Sequence, residues 1–348
     1  MKERNSNIEV LRIVCMLMVM ILHFNNQCAN QNLLQFPKEL TSQYIFGFLI
    51  ESFCIIAVNC FVLISGYFGV KFNVRSIFKL YLKCFFVGLV SYLLYVTLTP
   101  SNLELKPLMG RLLAFTHNHW WYIISYICLI FISPLLNSAV NSLSKKKLVL
   151  SIFLYGFIVI YIGWYKNLES TNCGYSFVSF IFLYLIGRYI GKYVSFQWIR
   201  DKRWYWGISY FIGSFILFLC VMLYYYANLN IHHVFQYDHP IVILNSCFLL
   251  LFFLSFKFTN NKVNWFASSV LTAYLLQEST YLGHKLIYPA VSKLFTPPLC
   301  PPYSWILLLI VVSIVFLIVS VILDKILNIL INMILSLYDK YVSDYINI

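Results

Sequence analysis

Arg12 and His23 are two ionisable side chains within the first apolar stretch of the chain, eleven residues apart. In an α-helix about 3.6 residues make one turn and each advances the axis by about 1.5 Å, so both side chains lie on one face, roughly 16 Å apart. Imidazole takes a proton from a reacting hydroxyl near neutral pH, and guanidinium binds phosphate or carbonyl oxygens. The pattern therefore indicates proton transfer or group transfer along one polar stripe.

The same stripe has a structural interpretation. Arg12 can extend to one membrane interface while His23 lies at the other. The shared face favours function, because ionisable groups inside a membrane face a polar interior or a substrate path. Glu9, three residues before Arg12, is expected to pair with it on the helix surface and to give it structural support.

A second cluster, His119, Trp120 and Trp121, opens a later apolar stretch. Its indole rings either anchor the chain at the membrane interface or form a platform on which a sugar stacks. Further along, Tyr274 and Gln277 place polar atoms in an apolar stretch, which must therefore face protein or water. These five residues are candidates for binding an acceptor.

The composition is that of a membrane protein. Of the 348 residues, 61% are hydrophobic and 11% are charged, whereas a soluble domain carries about 25% charged residues. Too little polar material remains to cover a surface in water, so the surrounding medium has to be lipid. We expect a single membrane-embedded domain over residues 1–348.

Ten apolar stretches approach the roughly 20 residues that a spanning helix needs. The predicted fold is therefore all-α, a polytopic integral membrane protein with about ten transmembrane helices. The ninth stretch is interrupted by Glu278, His284 and Lys285. The ten stretches are 8–27, 45–65, 77–98, 120–137, 147–165, 174–192, 204–227, 239–257, 266–288 and 303–330.

Basic residues are concentrated in alternate loops between these stretches. Such alternation predicts that the basic loops, and with them both termini, lie in the cytoplasm. It also accounts for the net charge of +13 without a nucleic-acid partner. We expect a multi-pass protein of the plasma membrane with lipids as partners. The basic loops contain Lys2 and Arg4, Lys71 and Arg75, Lys145 to Lys147, Arg188 to Arg203, Lys257 and Lys262, and Lys340.

Two small-residue patterns indicate packing. Ser65-Gly66 is expected to mark a helix end and a close contact, because no G-x-S-x-G surrounds Ser65. Gly187-x-x-x-Gly191 is a helix-packing pattern that also occurs often by chance.

No metal site is predicted. His232, His233, Asp238 and His239 lie in one loop without a coherent frame of ligands. The ten cysteines include no C-x-x-C pair, which argues against a zinc cluster.

Several segments resemble motifs of the membrane acyltransferase-3 family, the O-acyltransferases that modify bacterial cell-surface polysaccharides. Arg12 and His23 are similar to the Arg-x10-His motif of its first helix. The resemblance runs in order from residue 4 to about 280. The other similar segments are Val58–Tyr67, which ends in Ser65-Gly66-Tyr67, then His119–Tyr122, Leu185–Gly187 and Ser269–Gln277.

Two positions differ from the family pattern. An Arg-x-x-x-Arg that often follows the second helix is Arg75-x-x-x-Lys79 in this chain. The late histidine of the family is replaced by Gln277, so a role that requires imidazole cannot lie at this position.

The resemblance implies an acyl-CoA donor, usually acetyl-CoA, as a co-substrate rather than a bound cofactor. It implies a hydroxyl acceptor on a glycan or a lipid-linked sugar, with other polysaccharide-biosynthesis proteins as partners. His23 would act as the general base or as a transient acyl carrier, and Arg12 would bind the donor. Arg75, Lys79 and Arg188 are the candidates for binding the CoA phosphates.

A transporter or flippase for a lipid-linked sugar or polysaccharide is the main alternative. Ten helices with a central polar stripe suit it, because intramembrane charges also mark transport paths. Transporters tend to contain internal repeats with paired broken helices, and the two halves of this sequence show no convincing similarity. The acyltransferase interpretation is therefore favoured.

Overall fold

The computed structural model describes residues 5–30, 33, 39–110, 112–113, 115, 120–166, 171–296 and 304–341. Within these ranges the chain is helical and contains no β-strand, which confirms the predicted all-α fold. The helices are α1 Ser6–Phe24, α2 Ser42–Cys54, α3 Ala57–Phe68, α4 Val74–Leu98, α5 Leu105–Gly110, α6 Trp121–Ser142, α7 Lys145–Phe157, α8 Phe177–Tyr193, α9 Phe196–Asp201, α10 Arg203–Tyr226, α11 Pro240–Leu254, α12 Asn261–Ala267, α13 Leu271–Gln277, α14 Tyr288–Ser292 and α15 Trp305–Tyr341.

Seven helical segments of the described chain are long and apolar enough to cross a membrane. They are Ser6–Ala29, Ser42–Phe68, Val74–Leu98, Trp121–Ser142, Lys145–Tyr165, Arg203–Tyr226 and Trp305–Tyr341. Two further helices are shorter, α8 with 17 residues and α11 with 15. A polytopic membrane protein is thus confirmed, whereas the count of ten spans is not.

The predicted ninth helix, 266–288, is not continuous. It consists of α12, α13, a short π-helical turn and α14. Gly283 lies so close to the preceding segment that a Cβ there would come within 1.8 Å of the Gln277 carbonyl oxygen. The helix is interrupted after Gln277, and we call residues 277–279 the polar turn; Ser279 stabilises it by accepting a hydrogen bond from the Gly283 amide.

Helix α1 lies at the centre of the bundle. It packs against α2, α3, α11, α12, α13 and α15. Leu11, Cys15 and Met20 on this helix are fully buried. Because α1 is enclosed by protein, its polar stripe faces neighbouring helices rather than lipid. The end of the bundle at which α1 and α4 begin is called the basic face below.

Glycines bring α3 and α8 into close contact. A Cβ on Gly66 would lie 2.3 Å from the Tyr184 carbonyl oxygen, and one on Gly187 would lie 2.4 Å from that of Leu63. Gly191 approaches the Tyr67 carbonyl oxygen equally closely. The backbones meet because no side chain separates them, as in small-residue packing between membrane helices. The Gly187-x-x-x-Gly191 pattern is therefore a true packing surface.

A buried ion pair connects α4 to α15. The Nζ atom of Lys83 lies 2.7 Å from Oδ1 of Asp324, and the Asp324 side chain is fully buried. Thr272 and Asn328 donate further hydrogen bonds to the same carboxylate. Breaking such a pair costs about 3–5 kcal/mol, because one charge is left buried without a partner. The pair therefore holds α4 and α15 together beside α13.

We expect Gly187→Ala to destabilise the protein by about 1–3 kcal/mol, because the added methyl group has to displace backbone rather than a side chain. Gly207→Ala is the matched control, since a Cβ there meets only the Phe252 ring, at 3.1 Å. That control gains helix propensity of about 1 kcal/mol and is expected to be neutral or stabilising. Thermal unfolding in detergent measures the stability of both variants. Equal midpoint temperatures for Gly187→Ala and Gly207→Ala would contradict the packing argument.

Candidate functional site

A cavity of about 380 Å³ lies beside α1. At the basic face it is lined by Arg12, Lys79 and Ser268, and Lys79 and Ser268 are exposed, so this end is open. His23 lines it farther along α1, toward the opposite face. Arg12 and His23 therefore share one polar passage. The aromatic lining consists of Phe61, Trp121, Tyr122, Tyr126, Tyr237 and Tyr274.

Arg12 is held by its own helix. Its Nη1 atom lies 3.2 Å from Oε1 of Glu9, and the Glu9 side chain is almost fully buried. About a third of the Arg12 side chain stays accessible. The guanidinium is thus oriented by one carboxylate and still presents donors to the cavity.

His23 is held by the polar turn. Its Nδ1 atom lies 3.0 Å from Oε1 of Gln277 and 3.3 Å from Oε1 of Glu278. Gln277 is fully buried and also donates a hydrogen bond to the Met20 carbonyl oxygen. With Nδ1–H donating to the amide oxygen, Nε2 is the basic nitrogen. About a quarter of the ring is accessible.

Glu278 is the functional candidate that the sequence analysis did not assign to the site. Its carboxylate contacts Nδ1 of His23, accepts a hydrogen bond from the Tyr288 hydroxyl and lies 3.6 Å from Nε2 of His284. A carboxylate beside an imidazole stabilises the imidazolium that forms when the ring takes a proton. The available signal was a charged residue inside a predicted span, next to Gln277.

Trp120, which immediately precedes α6, and Trp121, its first residue, have different environments. Trp120 is fully buried, and its Nε1–H donates to the Leu275 carbonyl oxygen at 3.1 Å. It therefore ties α6 to α13 and does not line the cavity. Trp121 lines the cavity and packs against Tyr175 and Tyr237. His119 lies outside the described residues.

The four cations predicted to bind the donor separate into two groups. Arg12 and Lys79 line the cavity. Arg75 instead makes a bidentate ion pair with Asp339, at 2.7 and 2.8 Å. The Arg188 guanidinium packs against Gly69, which has a φ of +72° and no side chain to obstruct it. The structure brings only the first pair into the cavity lining.

Ser65 and Gly66 serve the close packing predicted from their sequence. The Ser65 hydroxyl lines the cavity and donates to the Phe61 carbonyl oxygen one turn earlier. Gly66 provides the contact with α8 described above. Helix α3 ends at Phe68, two residues after Gly66.

The histidine-rich loop before α11 has structural contacts. His239 caps α11 by accepting a hydrogen bond from the Ile241 amide, and its side chain is buried. The His233 ring stacks on Trp164, which donates to the His233 carbonyl oxygen. In the described part of the chain, no group of His, Cys, Asp or Glu residues is arranged to hold a metal ion.

One of the sequence comparisons identifies a protein family. The model of a protein family described as an acyltransferase domain matches residues 5–325. This range contains the whole lining of the cavity and the polar turn. No curated protein and no solved structure matches the chain.

We expect Trp120→Phe to destabilise the protein by about 1–3 kcal/mol, because the buried Leu275 carbonyl oxygen loses its donor. Trp121→Phe is the matched control, since its ring lines a cavity and is partly accessible, and we expect a smaller loss. Thermal unfolding in detergent distinguishes them. A larger loss for Trp121→Phe would contradict the division into a structural and a site tryptophan.

Proposed function

The chain belongs to the acyltransferase-3 family and is a membrane acyltransferase. We propose that it moves an acyl group, most simply acetyl, from acyl-CoA to a hydroxyl of a cell-surface polysaccharide or its lipid-linked precursor. The observation that carries this proposal is the shared passage, which joins Arg12 near one face to a hydrogen-bonded His23 near the other. Family membership favours this reaction over transport of a lipid-linked sugar.

The donor enters from the basic face. Arg12 and His23 lie roughly 16 Å apart along α1. A short thioester therefore cannot contact both side chains at once. A long, narrow pantetheine arm fits this separation, with its phosphates at Arg12 and Lys79 and its thioester at His23. Guanidinium therefore binds phosphate in this proposal rather than the reacting carbonyl oxygen.

His23 carries the chemistry through Nε2. This nitrogen takes the proton of the acceptor hydroxyl as the hydroxyl oxygen attacks the thioester carbonyl carbon. The C–S bond then breaks, and the leaving thiolate takes a proton from the imidazolium, which yields the ester and CoA. A transient acyl group on Nε2, later transferred to the hydroxyl, uses the same atom. Glu278 stabilises the cationic ring in both routes.

The aromatic lining is suited to an acceptor sugar. Trp121, Tyr237 and Tyr274 surround the passage on the His23 side, with the Tyr274 ring centroid 6.4 Å from that of His23. Aromatic faces bind the apolar side of a sugar ring, and their polar edges bind its hydroxyls. Gln277 contributes indirectly in this proposal, by orienting His23.

The orientation of the protein follows from its basic loops. Because loops rich in Lys and Arg remain in the cytoplasm, the basic face and both termini are placed there, in the plasma membrane. The donor then enters from the cytoplasm and the reacting carbonyl lies deeper, nearer the opposite side. This geometry suits an acceptor that is assembled at the outer surface.

We expect His23→Ala to reduce acyl transfer at least about 100-fold, because general acid–base catalysis contributes that much or more. The gene is deleted and complemented with wild type or the variant, and ester-linked acyl groups on the cell-surface glycan are measured. His232→Ala, in a loop outside the cavity, serves as the control and should retain acylation. Normal acylation by a stably inserted His23→Ala protein would refute the assignment.

We expect Glu278→Gln to lower kcat about 10- to 100-fold with little change in the donor KM, because the carboxylate contacts the base and not the donor. Glu278→Asp keeps the charge and should recover part of kcat. Steady-state kinetics with acetyl-CoA and purified protein measure both constants. An increase in KM at unchanged kcat would show that Glu278 acts in donor binding instead.

A further inference from the structure

Trp265 and Lys325 form an exposed pair at the basic face. The Nζ atom of Lys325 lies 4.4 Å from the centroid of the Trp265 ring and donates to the Trp265 carbonyl oxygen at 2.8 Å. The Trp265 side chain is 56% exposed although it is large and apolar. An accessible indole beside a fixed ammonium group can bind a flat ring that carries negative charge.

The pair borders the open end of the cavity. Nζ of Lys325 also donates to Oγ of Ser268 at 2.9 Å, and Ser268 lines the cavity. Lys79, which lines the same end, is close enough to Lys325 to repel its charge. Trp265 and Lys325 thus lie beside the rim of the cavity, connected to it through Ser268.

The charge at this opening favours an anion. Two buried carboxylates lie close by, Glu9 paired with Arg12 and Asp324 paired with Lys83, and the exposed Asp339 pairs with Arg75 one turn before Lys79. Glu9 and Asp324 are buried and already bound. Lys79 and Lys325 bring two ammonium groups to this open end of the cavity, where they attract an anion.

A membrane anchor is the simpler explanation of an exposed tryptophan beside a lysine. The chain contains such a pair elsewhere, because Nζ of Lys202 lies 4.7 Å from the ring centroid of Trp198. Neither pair is part of the cavity lining itself. What distinguishes Lys325 is its bond to Ser268 on the cavity edge.

We propose that Lys325, Lys79 and Trp265 bind the 3′-phosphorylated adenosine diphosphate of coenzyme A at the open end of the cavity. Adenine stacks on the accessible face of Trp265, the 3′-phosphate lies at Lys325, and the diphosphate lies at Lys79 on the side of Arg12. The inference rests on the proposed acyl-CoA donor and makes it more specific. It requires a free CoA thioester, because a phosphopantetheine thioester on a carrier protein has no adenine.

Equilibrium binding to the purified full-length protein tests the proposal without a known acceptor. The probes are radiolabelled acetyl-CoA and S-acetyl-4′-phosphopantetheine, with adenosine 3′,5′-bisphosphate as a competitor. We expect Lys325→Gln and Trp265→Leu each to weaken acetyl-CoA binding about tenfold, as the loss of one charged hydrogen bond or one stacked ring does. The binding of the shorter thioester should stay unchanged.

Matched variants control for folding and for general charge. Lys325→Arg keeps the charge and should retain most of the affinity for acetyl-CoA. Lys202→Gln and Trp198→Leu remove the equivalent pair elsewhere on the chain and should have no effect. Competition by adenosine 3′,5′-bisphosphate should be seen for wild type and be weaker for Lys325→Gln.

The outcomes separate this inference from the function on which it rests. Equal affinity of the wild type for both thioesters, or unchanged acetyl-CoA binding by Lys325→Gln, would overturn the nucleotide site and leave the acyltransferase proposal intact. A loss shared by both thioesters would show that Lys325 acts only through stability, which also overturns the inference. A wild-type protein that binds neither thioester would contradict the acyl-CoA donor itself.

Discussion

The hydrogen bonding of His23 to the polar turn is the interaction on which the site depends. A carboxylate and an imidazole inside a membrane bundle are costly unless each has a partner. Glu278 meets this requirement with the His23 ring and the Tyr288 hydroxyl, and Gln277 fixes the ring further. The ninth apolar segment is broken at this point, because a continuous helix would not bring Gly283 so close to the Gln277 carbonyl oxygen.

The surrounding helices give this polar centre a rigid enclosure. Gly66, Gly187 and Gly191 bring α3 and α8 into backbone contact, so one wall of the bundle is tightly packed. The buried Lys83–Asp324 pair fixes α4 against α15 and keeps Lys79, one turn earlier on α4, at the open end of the cavity. The polar groups of the cavity lining thus follow one passage between these helices.

The cations and the histidine lie at different ends of the passage, as the phosphates and the thioester do in the proposed donor. Arg12 and Lys79 lie at the open end, whereas His23 lines the cavity farther along. A donor bound by its phosphates at one end presents its thioester to a base at the other, so binding and chemistry are separated in space. Remote binding energy of this kind can position a reacting group without contacting it.

The sequence alone determined the all-α membrane fold, the family resemblance and the shared face of Arg12 and His23, because composition and helical periodicity are local properties of the chain. Only the tertiary structure decided that Glu278 and Gln277 bind His23, since these contacts join positions more than 250 residues apart. The same holds for Trp120, whose partner lies on α13. Periodicity predicts on which face of its own helix a side chain lies. Only packing determines which residues that face contacts.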